Sequence, residues 1–313
     1  MARTAVGIDV GGTKVAGILM DEEGRVLASR EEETPAEDVE ATMATIARVA
    51  MALRNEGSPV AVGIGAAGMV DHAAGVLRWA PNLAWTEVAI GEQLSTETGL
   101  PAVVDNDANT AAWGEFRFGA ARGVQHALVV TVGTGIGGGI VAGGRLQRGA
   151  HGFAGEVGHV IVEPGGPVCG CGNRGCWEQV ASGRALDRLA RRAAEDQPGG
   201  LIGRLAAGRP PTGRVVAEAA VRGDRAAIEI LREVGRRLGE GLAGLANVLD
   251  PEIVVVGGGV AEIGPAMLDP AREAFLRTVE APAHRPDVPL VPAELGNQAG
   301  AVGAAALALE AVS

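Results

Sequence analysis

One local plan occurs twice in this chain. Ala5–Val10 and Val15–Met20 are apolar runs joined by Gly11-Gly12-Thr13-Lys14; Ala127–Val132 and Ile140–Ala142 are apolar runs joined by the glycine loop 133–139. Short runs rich in β-branched residues and bounded by Gly and Thr read as strands. Each stretch therefore predicts a strand–loop–strand hairpin, and the echo points to two related α/β lobes. Gly24 turns the first hairpin into Arg25–Ser29, giving a three-stranded antiparallel meander. Val39, Met43, Ile46, Ala50 and Leu53 recur at helical spacing and predict a helix over 36–54. Val60–Ala66 reads as a buried strand, Glu87–Thr98 as a helix, Ala102–Val104 as a strand, and Asn106–Phe118 as a helix capped by Asn106 or Asp107. A long helix through Ala226, Ile230, Val234, Leu238, Leu242, Leu245 and Leu249 ends at Asp250-Pro251, Ile253–Val256 is a buried strand, and Asn297–Ala311 a closing helix. The stretch 191–213, rich in Gly, Pro and Arg, predicts an exposed loop.

The chain of 313 residues, 47% hydrophobic, is long enough for a sizeable core and for two lobes. A net charge of -11 argues against nucleic acid or an anionic polymer such as polyphosphate as partner. No run of eighteen apolar residues predicts a membrane span. MARTAVGIDV enters a strand directly, with no signal-peptide pattern. Three cysteines cannot pair fully, and thiolate ligands need reduced sulfur, so the expected compartment is the cytoplasm. Lys14 is the only lysine, which makes it a unique chemical handle.

All three cysteines fall in one motif. His159, Cys169, Cys171 and Cys176 read H-x9-C-x-C-x4-C, with glycines at 170, 172 and 175. Thiolate sulfur with one imidazole suits a closed tetrahedral Zn²⁺ site of the Cys3His type. Glu156 and Glu178 flank it in sequence, so the knuckle reads as the floor of a pocket.

Three glycine loops sit at strand ends. In Asp9-Val10-Gly11-Gly12-Thr13-Lys14 the bare backbone and the Thr13 hydroxyl can meet an anion, and Asp9 can hold Mg²⁺ through water. Gly133-Thr134-Gly135-Ile136-Gly137-Gly138 contains G-x-G-x-x-G, but a strand follows where a dinucleotide fold needs a helix. A second phosphate hairpin, with Thr134 and Gly135 as donors, fits better. Gly257, Gly258 and Gly259 follow a strand and would let a base or ribose lie on bare backbone. No P-loop pattern occurs.

With IDVGGTK at 8–14, GIGAAGMVD at 63–71, PNLAW at 81–85, DNDANTAAWGE at 105–115, VGTGIGGG at 132–139, GEVGH at 155–159, CGCGNRGCWE at 169–178 and VGGG at 256–259, the chain resembles the ROK family of bacterial sugar kinases over essentially its whole length. The resemblance implies a two-lobed actin-like ATPase (ribonuclease H-like) fold, α/β in each lobe. A smaller lobe would comprise 1–105 plus 298–313, and a larger one 106–297 with the zinc knuckle. It implies transfer of a phosphoryl group from ATP to the 6-hydroxyl of a hexose, with Mg²⁺ and structural Zn²⁺, in a homodimer or homotetramer.

Carried onto this sequence, the resemblance makes Asp107 the catalytic base and Asn106 a sugar contact that also caps the helix. Asp107 at a helix N-terminus is expected to have a lowered pKa. Glu156, His159 and Glu178 would bind sugar hydroxyls, His159 giving one ring nitrogen to zinc and the other to the sugar. Asn82 would be a further sugar contact. Glucose is the expected substrate; N-acetylmannosamine, fructose or another hexose is the alternative. The family's sugar-responsive regulators carry a helix-turn-helix before the kinase-like region, and a strand beginning near residue 5 leaves no room for one. A purely structural role leaves the carboxylates unexplained.

Overall fold

The computed structural model describes residues 2–80 and 85–313. In chain order the elements are β1 (Thr4–Val10), β2 (Lys14–Asp21), β3 (Val26–Glu33), α1 (Val39–Asn55), β4 (Val62–Ala66), β5 (Met69–Asp71), β6 (Val76–Trp79), β7 (Thr86–Val88), α2 (Ile90–Thr98), β8 (Ala102–Asn106), α3 (Asp107–Phe118), β9 (Ala127–Val132), β10 (Ile136–Ala142) and β11 (Arg145–Leu146). They continue with α4 (Glu178–Ala181), α5 (Gly183–Asp196), α6 (Leu201–Ala206), α7 (Gly213–Val221), α8 (Arg225–Leu249), β12 (Ile253–Gly257), α9 (Pro265–Thr278), β13 (Leu290–Pro292) and α10 (Ala299–Ala311). Single 3-10 turns occupy Val157–His159, Ala261–Ile263 and Gly296–Gln298. One five-stranded sheet has the order β3-β2-β1-β4-β8, a second β11-β10-β9-β12-β13, and β5-β6-β7 form a small third.

The chain divides into two compact units: Met1–Val130, Gly138–Gly155 and Ala293–Ser313 form the first, Thr131–Gly137 and Glu156–Pro292 the second. By this partition α3 and the segment 138–155 lie with the N-terminal meander, so the units are drawn differently from the lobes the resemblance implies.

In the first unit β1, β2 and β3 form the expected antiparallel meander, and β4 and β8 add parallel strands beside β1. The β1–β4 register pairs Asp9 with Gly65, and β4–β8 pairs Ala66 with Asn106, so Asp9 and Asn106 both lie at the carboxyl ends of parallel strands. That is where open α/β sheets bind ligands. One face of the sheet packs on α1 through Ile46, Val49, Ala50 and Leu53. Ala299–Leu309 of α10 are buried throughout. This helix lies directly on the strand backbones, since a methyl at Gly7 or Gly63 would overlap the α10 carbonyls of Ala301 or Ala304.

In the second unit α8 and α9 pack closely, the α9 backbone lying against Gly235 and Gly239 of α8. Among the described residues no helix is long and apolar enough to cross a membrane.

Three expectations are corrected. The region 191–213 is mostly helical: α5 runs to Asp196, and α6 buries Ile202 and Ala206, so tertiary packing overrides the Gly/Pro signal. Residues 86–88 are a strand paired to β6, with Glu87 at φ 53°, and the helix starts only at Ile90. The strand after the second glycine loop begins at Ile136 and includes Gly137–Gly139, because ladder pairing outweighs the low strand preference of glycine.

Candidate active site

In the first unit the β8–α3 junction is built by its own side chains. Asn106 is the N-cap of α3: its Oδ1 accepts from the amides of Ala108 (2.9 Å) and Asn109 (3.2 Å), and its Nδ2 donates to Gly68 O at 3.0 Å. Asp107 is therefore not the cap; it is the first helical residue. Its pKa is raised, not lowered as the helix position suggested. Burial is the largest influence and outweighs the hydrogen bonds from the Ala108 and Asp107 amides and the Asn106 side chain.

Asp105, which the sequence reading passed over, organises the junction. It is 2% exposed and accepts from Asn106 N (2.8 Å), Asn109 Nδ2 (2.9 Å) and Arg148 Nε (2.7 Å). The only sequence signal was a third polar residue directly before Asn106-Asp107.

The first glycine loop closes with Gly11 N donating to Lys14 O at 3.0 Å. Thr34, also missed, donates its hydroxyl to Gly11 O (2.8 Å) and its amide to Thr13 O (3.1 Å). With those carbonyls engaged, the exposed Gly12 and Thr13 have the loop amides and the hydroxyl to offer an anion. Lys14 Nζ pairs with Glu31 at 2.8 Å, and both side chains are exposed. Part of Asp9 is open to solvent, yet protein crowds its carboxyl. Burial first, then the Asp107 carboxylate, push its pKa up to about 7, with Lys14 pulling the other way.

In the second unit the knuckle forms from two isolated bridges, Ile161 with Cys176 and Val168 with Arg174, tied by Cys169 N to Asn173 O (2.8 Å) and Trp177 N to Val160 O (2.8 Å). It brings His159, Cys169, Cys171 and Cys176 together, with one donor atom of each within 4.8 Å of all the others. Cys169 Sγ lies 3.6 Å from His159 Nδ1, and Cys171 Sγ lies 3.6 Å from Cys176 Sγ. Tetrahedral Zn²⁺ with sulfur at about 2.3 Å and nitrogen at about 2.0 Å places neighbouring donors about 3.5–3.8 Å apart, so the donor set and its spacing fit that ion. As free thiols the three differ. Burial pushes Cys169 up to about 12, the Glu178 carboxylate adding to it. Burial, then Cys171, also raises Cys176. Burial opposes the Cys171 thiolate too, but the Asn173 amide and the neighbouring thiols lower it on balance. A bound dication would override these differences and hold all three as thiolates.

The other nitrogen of the ring, His159 Nε2, faces Glu156 Oε2 at 3.8 Å, and both side chains are partly exposed. Glu178 is buried at the start of α4, its Oε1 accepting from Cys169 Sγ and Gln179 Nε2 at 3.0 Å each. Trp177 anchors this run. It is 1% exposed, donates Nε1 to Arg237 O at 3.0 Å, and lies flush on Gly241 of α8. A tryptophan inside the cysteine motif of a chain with 3% aromatic residues was the available signal.

The second glycine loop closes with Gly133 N to Gly135 O at 3.0 Å and leaves Thr134 exposed. After β12, Gly258 takes φ 84° and lies against the backbone of Val132, a position closed to a side chain. Beside it Gly259 has open space where a Cβ would stand, so its backbone is bare to a flat ligand. Asn82 lies outside the described residues.

Two α/β sheets with glycine hairpins at strand ends, joined in one sequence to a Cys3His cluster, define a sugar kinase of the actin-like ATPase fold. The chain belongs to the ROK family, whose model matches residues 5–311. It is 43% identical over 309 residues to a glucokinase of Streptomyces coelicolor, covering 97% of each chain. Among solved structures it resembles a ROK family glucokinase from Streptomyces griseus in complex with glucose and AMPPNP (TM-score 0.90, 43% identity, 98% of this chain and 99% of that one). It also resembles a ROK hexokinase from Thermus thermophilus (TM-score 0.81, 38% identity, 99% of each).

Proposed function

We propose that the chain is an ATP-dependent glucokinase, transferring the γ-phosphoryl group of ATP to the 6-hydroxyl of glucose. The Asn106–Asp107 pair carries this reading. Asn106 caps the helix, and Asp107 beside it, at the end of a parallel strand, carries a buried carboxyl whose pKa is raised.

As the 6-oxygen attacks the γ-phosphorus, Asp107 accepts the proton of the hydroxyl and the bond to the β–γ bridging oxygen breaks to release ADP. A carboxyl held above the ordinary range is a better base than a free aspartate, and positioning supplies much of the rest in a loose transition state. Asn106 would be a further contact to the sugar beside Asp107. Glu156, Glu178 and the Nε2 of His159 would meet further hydroxyls, with Asn82 as one more contact. A buried carboxylate left without its hydroxyl is costly, which penalises sugars that lack or invert that group.

Gly11, Gly12, Thr13 and Lys14 on one hairpin, with Thr134 and Gly135 on the other, would bind the phosphates, and Gly257–Gly259 the adenosine. Mg²⁺, when bound, neutralises charge on the triphosphate; Asp9, a crowded carboxyl beside another carboxylate, is suited to face a cation through water. Zn²⁺ would be held by His159 Nδ1, Cys169, Cys171 and Cys176 and would act only to fix the pocket. A cytoplasmic homodimer or homotetramer completes the proposal, on family resemblance.

An ADP-release assay against glucose, N-acetylmannosamine and fructose tests it. The expected result is a kcat/KM for glucose at least about tenfold above the others, the order of one lost pocket contact. A different hexose in first place overturns the glucose assignment.

A further inference from the structure

A buried ion pair stands behind the β8–α3 junction. Asp105, 2% exposed, engages both of its oxygens: Oδ1 accepts from Asn106 N at 2.8 Å and Asn109 Nδ2 at 2.9 Å, and Oδ2 accepts from Arg148 Nε at 2.7 Å. Asn109 is gripped twice, since its amide also donates to Asn106 Oδ1 at 3.2 Å. Asp105 thus holds the cap and the first turn of α3 together, with Asp107 between them. His72 Nδ1 lies 3.6 Å from Oδ2 but donates to Val104 O at 2.8 Å, a carbonyl that can only accept, so Arg148 is the cation that pairs with Asp105. Arg148 is itself fixed at its backbone. Its carbonyl accepts from Ala154 N at 3.0 Å, and in the turn so closed Gly152, at φ 89°, lies where a Cβ would overlap Val70 O of β5. The Arg148 side chain is 23% exposed and borders two cavities, of about 510 and 470 Å³. A buried carboxylate stripped of its cation is strongly unfavourable. Without Arg148, Asp105 would take up a proton or turn toward water, and either change weakens its charge-assisted hold on Asn106 and Asn109.

We propose that Arg148 is a positioning residue for phosphoryl transfer: through Asp105 it holds the first turn of α3, and so sets Asn106 and Asp107 toward the sugar. The effect on rate rests on the proposed role of Asp107; the hold on the first turn does not. Misplacing a reacting group by about 1 Å costs on the order of 10²-fold in rate. The phosphate hairpin has its own closure, Gly11 N to Lys14 O and the Thr34 hydroxyl to Gly11 O, and neither bond passes through Arg148. Loss of Arg148 therefore falls on turnover and spares the nucleotide.

The test uses the full chain. Arg148→Ala should lower kcat on glucose about 10–100-fold and leave the KM for ATP within about twofold. Arg148→Lys, which keeps a cation, should stay within about fivefold of wild type. Guanidinium ion at low millimolar concentration can enter by the flanking cavities; it should raise the kcat of Arg148→Ala about threefold or more by returning a charged partner to Asp105, and leave wild type unchanged. Asp105→Asn removes the charge that Arg148 answers, so adding Arg148→Ala to it should cost about threefold or less, a coupling that a double-mutant cycle reads directly. Hydrogen exchange over residues 105–110 reads the hold without catalysis: it should be about tenfold faster in Arg148→Ala, while α1 and α8 keep their protection. Unchanged kcat in Arg148→Ala overturns the proposal, and so does a KM for ATP that rises as much as kcat falls. Faster exchange spread evenly over the chain overturns it too, since the pair would then be a general brace. Should Arg148→Ala fail to fold, Arg148→Met keeps the stem without the charge; a kcat equal to that of Arg148→Lys overturns the proposal. A wild-type chain that phosphorylates no hexose would sink the functional reading and leave the exchange over 105–110 to judge the hold, with unchanged exchange overturning it.

Discussion

Asp107 stands between two opposing influences. The first turn of a helix favours a charged carboxylate, but Asn106 already draws on the amides of Ala108 and Asn109, and burial prevails. A base with a raised pKa loses activity at a higher pH than an ordinary aspartate does. The acid limb of kcat/KM for glucose should therefore lie above the usual carboxylate value of about 4, and a limb at or below that value would contradict the burial argument. Asp107→Ala should lower kcat about 10²–10⁴-fold, the range for loss of a positioned base, while calorimetric glucose affinity stays within a few-fold. Near-normal turnover would remove Asp107 from the chemistry. Lys14 offers a second check. Its partner Glu31 is exposed, and such pairs bind weakly, so an amine-selective reagent should reach this sole lysine. ATP should protect it; equal labelling with and without ATP would place Lys14 away from the phosphates.

At the scale of elements, the knuckle is held from two sides: by its ligands, and by Trp177 seated on α8. Cys171→Ser and Cys176→Ala should lose zinc, and glucose affinity should fall with it by about 10–100-fold, measured by metal analysis and calorimetry on the same sample. Unchanged glucose affinity in the metal-free variants would detach the knuckle from the sugar. This element was legible because its signal is local: close cysteine spacing, turn glycines and one histidine specify the cluster without long-range information. The meander, α8 and α10 were legible for the same reason, through unbroken periodicity. What sequence could not reveal depends on partners distant in the chain. β7 exists because β6 pairs with it, and α6 because it buries Ile202 and Ala206. Within the site, Asp105, Thr34 and Ser182 act through residues 43, 21 and 48 positions away, to Arg148, Thr13 and Thr134. Isolated polar residues of these types carry no pattern that announces such contacts.

For the molecule as a whole, the crowded carboxyl of Asp9 works against the stability of the ligand-free fold. Asp9 lies one residue before the end of β1 in the centre of the first sheet, with α10 so close that a methyl at Gly300 would fall 2.7 Å from its Cγ. Folded, it keeps its proton up to about pH 7, against an ordinary value of 3.8. Between those values the folded chain binds more protons at this site than the unfolded chain, so raising the pH through this window favours unfolding. The contribution is fully present below about pH 4 and lost by pH 7. Paired carboxylates such as Asp21 and Asp71, whose pKa values are lowered, lose their stabilisation only on acidification, so they do not mimic this trend at neutral pH. Asp9→Asn should therefore melt a few degrees above wild type at pH 8 without ligand. The gap should close as the pH falls toward 4, while Mg²⁺-dependent stabilisation by AMPPNP is lost. Thermal melts of both proteins at pH 5, 6, 7 and 8, with and without AMPPNP and Mg²⁺, read the two effects separately. Parallel melting curves across that range would mean that Asp9 is ionised in the free protein and that the crowding around it costs the fold nothing.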